Sequence, residues 1–138
     1  LSARRSLGAW TGVFHTSLSP EDLARGRTGS RRVDDDEEFH RYGKLDNIYG
    51  PSIICDGGRT QRWHRMGEPI NPPAPADQIV GYAAGIDANV FDKQWARREG
   101  AALLGDDVID FDHIHQLTTA GMNDSARVLA QRFLDNRG

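Results

Sequence analysis

Two short stretches hold most of the side chains capable of chemistry. The first is DFDHIH, Asp110 to His115. On a strand, His113 and His115 would project to one face, the spacing that brings two imidazoles to one metal, with Asp110 and Asp112 on the opposite face. On a helix the two histidines lie about 200° apart and cannot share a metal, whereas Asp110 with His113 and Asp112 with His115 become i, i+3 neighbours. Val108, Phe111, Ile114 and Leu117 recur at intervals of three, which favours the helix. His113, His115, Asp110 and Asp112 are therefore weak metal candidates. Three or more protein ligands are usual, and the others available, His15, His40, His64 or Glu38, come from far along the chain. No metal or other cofactor is expected.

The second stretch is IICDGGRTQRWHRM, Ile53 to Met66, with the only cysteine, Cys55. A single cysteine excludes an internal disulfide framework and a multi-cysteine zinc site, and reads best as a small buried hydrophobe. SIIC is β-prone, DGG tolerates a tight turn, and TQRWHR can return as a second strand, a hairpin near 51–65. Alternation then places Trp63 on a packing face and leaves Arg62 and His64 toward water or a partner. The glycines read as a turn rather than a phosphate cradle, because no helix start follows them. Arg59, Arg62, His64 and Arg65 around Trp63 could instead hold phosphates while the indole stacks on a base, the RNA-associated alternative.

The elements that must position these residues fall into three regions. Residues 1–66 read as an extended arm and loop-rich region. Within it SPEDLARG predicts a short helix with Ser19 as cap and Pro20 at the first position, ended by Gly26. The basic RTGSRR beside the acidic DDDEE reads as a solvated, partly self-paired loop. Residues 67–76, GEPINPPAPA, form a Pro-rich connector, and 77–138 are helical. Ala76 to Ala84 is a short helix weakened by Gly81 and Gly85. A longer one spans 87–105, capped by Asp87, with Val90, Phe91, Gln94, Arg98, Ala101 and Ala102 on one stripe. Residues 106–121 and 123–138 pair as a helical hairpin across Gly121-Met122, the second burying Val128, Leu129 and Phe133. No internal repeat is read from the sequence. The expected fold class is thus α+β and irregular: an extended N-terminal region with one β-hairpin, then a small C-terminal helical region.

Composition narrows function more than any motif does. Ten Leu, eight Ile, six Val and five Phe in 138 residues are about a fifth of the chain, close to the roughly 20% at which a packed core becomes hard to build. The net charge of -3 is small enough to allow folding and lacks the basic surplus of a nucleic-acid-binding domain. No apolar run approaches the ~18 residues of a membrane span. Nucleophile elbow, zincin, Walker and dinucleotide patterns are all absent. Arg4 and Arg5, with no acid before Glu21, match what remains of a cleaved organellar targeting segment, so a mitochondrial location is expected. A chain with a thin core and long loops reads as a non-catalytic accessory or structural subunit whose partners are other protein subunits. Trp10 and Phe14 would anchor the first arm, with Trp63, Arg62 and His64 as further interface residues. The alternative is a small standalone enzyme with a metal or Cys/His site.

Overall fold

A computed structural model describes residues 17–55, 59–88, 92–105 and 108–136. The fold is α+β, an antiparallel sheet region followed by helices, and it divides into two compact units, Leu1–Pro72 and Pro73–Gly138. The division falls inside the Pro-rich stretch. That stretch is more structured than a connector, since Glu68–Pro69 form a strand and Pro75 begins a helix.

In the first unit, α1 (Pro20–Ala24) starts at a complete capping box. The Asp22 amide donates to Ser19 Oγ at 3.1 Å, and the Ser19 amide donates back to Asp22 Oδ2 at 2.9 Å. The charged blocks expected as a loop are instead paired strands, β1 (Gly29–Val33) and β2 (Asp36–Arg41). Their charges explain the difference: the register sets Arg31 opposite Glu38 and Arg32 opposite Glu37, so the two blocks neutralise each other across the ladder. β3 (Lys44–Leu45) folds back on β2. The predicted hairpin forms from β4 (Ile53–Cys55) and β5 (Thr60–Arg62), with Ile53 opposite Arg62 and Cys55 opposite Thr60. Its DGG turn, residues 56–58, lies outside the described residues. The return strand stops at Trp63, after which β6 (His64–Arg65) pairs with β7 (Glu68–Pro69).

This backbone contains a repeat that the sequence reading missed. Phe39-His40-Arg41-Tyr42-Gly43 and Trp63-His64-Arg65-Met66-Gly67 share the order aromatic, His, Arg, any residue, Gly, 24 positions apart. In each copy His and Arg enter a strand that reverses through a two-residue turn. His40 pairs with Leu45 and Arg41 with Lys44; His64 pairs with Pro69 and Arg65 with Glu68. Both turns are left-handed at both positions, with φ of 54° and 82° at Tyr42 and Gly43, and 52° and 87° at Met66 and Gly67. That is the geometry of a type I′ hairpin. Each closes with the same bond at 3.0 Å, Asp46 N to Phe39 O and Ile70 N to Trp63 O.

Each turn also docks on the chain before it in the same way. Gly43 N donates to Arg27 O and Tyr42 N to Thr28 Oγ1, while Gly67 N donates to Leu45 O and Met66 N to Asp46 Oδ2. Residues 27–28 thus do for the first turn what residues 45–46 do for the second. The upstream serines correspond too: Ser30 faces Phe39, and Ser52, one residue before β4, is at the same place relative to Trp63.

The second unit is built around α2 (Pro75–Asp87), which packs against all three other helices. It is longer than expected because Gly81 and Gly85 sit within it without ending it, and Ala76, Ile79, Tyr82, Ala83 and Ile86 are buried along it. α3 (Lys93–Leu103) begins at Asp92 rather than Asp87, with Trp95 N donating to Asp92 Oδ1 at 3.0 Å. The predicted stripe shifts with it. Ala96, Gly100 and Ala101 are inside, Gln94, Arg98 and Ala102 are exposed, and Val90 and Phe91 lie outside the described residues. α4 (Val108–Thr119) and α5 (Asn123–Asn136) form the expected helical hairpin, turned by Gly121 at φ 78°. Phe111 and Ile114 are fully buried on α4. On α5 the inner positions are Ala126 and Ala130, and Val128 is 56% exposed. Val128 lies about 200° around the helix from Ala126, and Leu129 and Phe133 are half-buried, so on α5 the fully enclosed residues are the small ones.

Candidate functional site

The polar chemistry of the chain gathers in the first unit, around the repeat. Asp46 follows β3 and is 1% exposed. Its carboxylate accepts from Arg65 Nη1 and from the Met66 amide, both at 3.2 Å. A buried carboxylate so placed fixes the second turn in its left-handed conformation. Asn47 beside it donates from Nδ2 to Pro51 O at 3.1 Å and accepts the Tyr49 amide at 3.0 Å, shaping the link into β4.

Among the described residues Ser52 and His64 form the tightest side-chain contact, 2.6 Å from Oγ to Nδ1. Ser52 Oγ also donates to Arg62 O at 3.0 Å, and the serine has no exposure at all. A hydroxyl enclosed in this way closes the strand end rather than attacking a substrate. In the equivalent position of the first copy His40 uses a different partner: Nε2 lies 3.0 Å from Glu38 Oε1, which in turn is 3.7 Å from Arg31 Nε. His40 Nδ1 is buried without a hydrogen-bond partner among the described residues. Sequence reasoning missed Asp46, Asn47, Ser52 and the equivalence of His40 and His64. The usable signal was the repeated aromatic-His-Arg-x-Gly.

The residues singled out as metal candidates are dispersed by the helix. His115 on α4 has Nδ1 2.9 Å from Ala83 O and Nε2 3.6 Å from Asp87 Oδ1. Asp112 is held by Arg97, whose Nη2 reaches both carboxylate oxygens at 2.8 Å. His113 is exposed on another side of the helix, and Asp110 is half-buried. Among the described residues no three His, Cys, Asp or Glu side chains are grouped for a metal ion.

Of the interface candidates, Trp63 is 8% exposed and packs inside the first unit, so its ring offers no open face to a base. Arg62 is exposed and His64 half-buried against Ser52. Arg65 is drawn onto Asp46. Trp10 and Phe14 lie outside the described residues. Cys55 is half-buried on β4. The large apolar side chains that the first unit exposes are Tyr42 (62%) and Met66 (40%), at equivalent positions of the two turns, together with Ile48 and Ile70, and Arg41 lies 5.7 Å from the Tyr42 ring centre. Among the described residues no helix is long and apolar enough to cross a membrane. Comparison with known protein families, with curated proteins and with solved structures finds no match.

Proposed function

We propose that the protein is a non-catalytic accessory or structural subunit of a larger protein assembly, and that its repeated turns are what it presents to the other subunits. The observation that carries this is the pair Tyr42 and Met66. Type I′ turns favour Asn, Asp or Gly at the first central position, because a bulky side chain at positive φ is strained. Both copies place a large apolar residue there and leave it exposed. Strain kept at equivalent exposed positions points to use, and exposed aromatic and Met side chains are the kind that interfaces favour. The polar groups of the same unit support a scaffold reading, since Asp46, Asn47 and Ser52 are engaged in holding the turns and strand ends. A mitochondrial location belongs to the same proposal, supported by Arg4 and Arg5 in a stretch free of acids before Glu21.

The test replaces both tips, Tyr42→Asn and Met66→Asn. Asparagine suits the turn, so the isolated chain should keep or gain thermal stability while its native mass in extract falls from that of an assembly to that of the chain alone. A wild-type native mass equal to the single chain overturns the proposal, as does a double variant that assembles unchanged.

A further inference from the structure

α5 carries an apolar strip that the described residues leave open. A groove of about 400 Å³ between α4 and α5 is lined by Leu117, Val128 and Leu129 together with His113, Asp124 and Arg132. Val128 is more than half exposed. Asp124 and Arg132 have no ion-pair or hydrogen-bond partner among the described residues, unlike Arg127 on the same helix, which binds Asp77 at 2.7 Å.

The spacing says what fits there. Asp124 lies four residues before Val128 and Arg132 four after it. On a helix four residues advance about 40° around the axis, so the three share one stripe about 80° wide, with the charges about 12 Å apart along it. The stripe is self-complementary under reversal. A second α5 laid antiparallel, with the two-fold axis at Val128, sets Asp124 of each copy against Arg132 of the other and Val128 against Val128. Such an isologous contact makes each favourable pair twice. An unrelated helix laid antiparallel would need an acid and a base at the same separation and in the same N-to-C order; a copy of this chain already has them.

We infer that α5 is a self-association surface, through which two copies of this chain pair antiparallel about Val128. The inference uses the helical unit alone and does not rest on the role given to Tyr42 and Met66. One short helix on each side makes a small interface, so the dimer is weak and concentration-dependent.

Sedimentation of the full chain over a concentration series tests this. The wild type should shift toward twice the chain mass as concentration rises, and Arg132→Asp or Asp124→Arg should each weaken association about tenfold or more, since two attractive pairs become two repulsive ones. The decisive arm is the mixture: the two single variants, each monomeric alone, should form a heterodimer together, because one then carries two arginines and the other two aspartates on the stripe. Val128→Glu, which sets like charges at the axis, should also be monomeric. Circular dichroism confirms that each variant keeps its helices; if a charge variant does not, the Val128→Glu result decides. A wild type that sediments as a single chain at every concentration, whatever else binds it, overturns the inference. So does a folded mixture that fails to associate, or a dimer indifferent to Val128→Glu.

Discussion

The sheet unit and the helical unit face the same shortage of large apolar side chains and meet it differently. Every buried polar side chain among the described residues, Ser30, His40, Asp46, Asn47 and Ser52, lies in the first unit. Its buried apolar side chains among the described residues are Leu18, Phe39, Pro51, Ile54 and Trp63. Among the described residues of the second unit, half of the buried apolar side chains are alanines: Ala76, Ala83, Ala96, Ala101, Ala126 and Ala130, beside Ile79, Tyr82, Ile86, Leu104, Phe111 and Ile114. Strands of two to six residues cannot enclose much apolar surface, so the first unit depends on directed hydrogen bonds that hold its reversals. Helices can approach closely where their contact residues are small, so the second depends on fit around a few rings. One unit should therefore be sensitive to lost hydrogen bonds and the other to changes in volume.

The largest effect expected from this contrast is at Phe111. Its ring is fully buried and lies against Gly100, so Phe111→Ala should destabilise the helical unit by about 3 to 5 kcal/mol in a denaturant titration. Phe133, only half-buried on α5, should cost clearly less when changed to Ala. Equal costs at the two positions would break the claim that fit is concentrated on one ring.

Gly100 tests the same fit from the other side. A methyl group added there would overlap the Phe111 ring, so Gly100→Ala should destabilise by about 1 to 3 kcal/mol, although alanine is the better helix former. A stabilised variant would show that α3 and α4 are not closely fitted.

In the sheet unit the corresponding change is Asp46→Ala, which removes the acceptor of the Met66 amide and the Arg65 guanidinium. A loss of about 1 to 3 kcal/mol is expected, with faster amide exchange at Met66 as its local signature. Unchanged exchange at Met66 would detach Asp46 from the turn.

The smallest effect is at the α1 cap. The Ser19 amide and hydroxyl, both donating to Asp22, and then Arg27 and Arg25 hold its carboxyl below the ordinary 3.8, against an opposing contribution from burial. A depressed carboxylate stabilises the fold above the unfolded-state value and loses that contribution as pH falls through the folded one. An NMR titration should find Asp22 with a midpoint under 3.8, and Ser19→Ala should move it up toward that value. A midpoint indifferent to Ser19→Ala would remove the hydroxyl as a cause and leave the backbone amide, which alanine keeps.

Much of this architecture was legible locally. Ser19 with Pro20 announced α1, the SIIC and TQR segments announced their hairpin, and the threefold spacing from Phe111 to Leu117 placed both histidines of DFDHIH on a helix. What escaped were features whose signal is split between distant segments. The two copies of the repeat drift in register, because Ser30 and Ser52 are 22 positions apart while Phe39 and Trp63 are 24 apart. The β1–β2 turn is two residues shorter than the β4–β5 turn, which hides the period. The charge blocks from Arg31 to Glu38 concealed two strands, since polarity alone cannot distinguish a solvated loop from a ladder of opposite charges.

By itself the sequence determined the α+β class, the β4–β5 hairpin, the Ser19 cap of α1 and the glycine that turns α4 into α5. These depend on near neighbours, through capping bonds, allowed φ and apolar spacing within a turn or two. Only the tertiary structure decided which face of each helix is inside. Val128 looks like core until Ala126 and Ala130 are seen to be the inner positions of α5. Only the tertiary structure, too, gave Asp46 its part in the next module's turn and showed Tyr42 and Met66 to be the same position twice. Burial and hydrogen-bond partnership belong to pairs of segments, and no local pattern carries the identity of the second member.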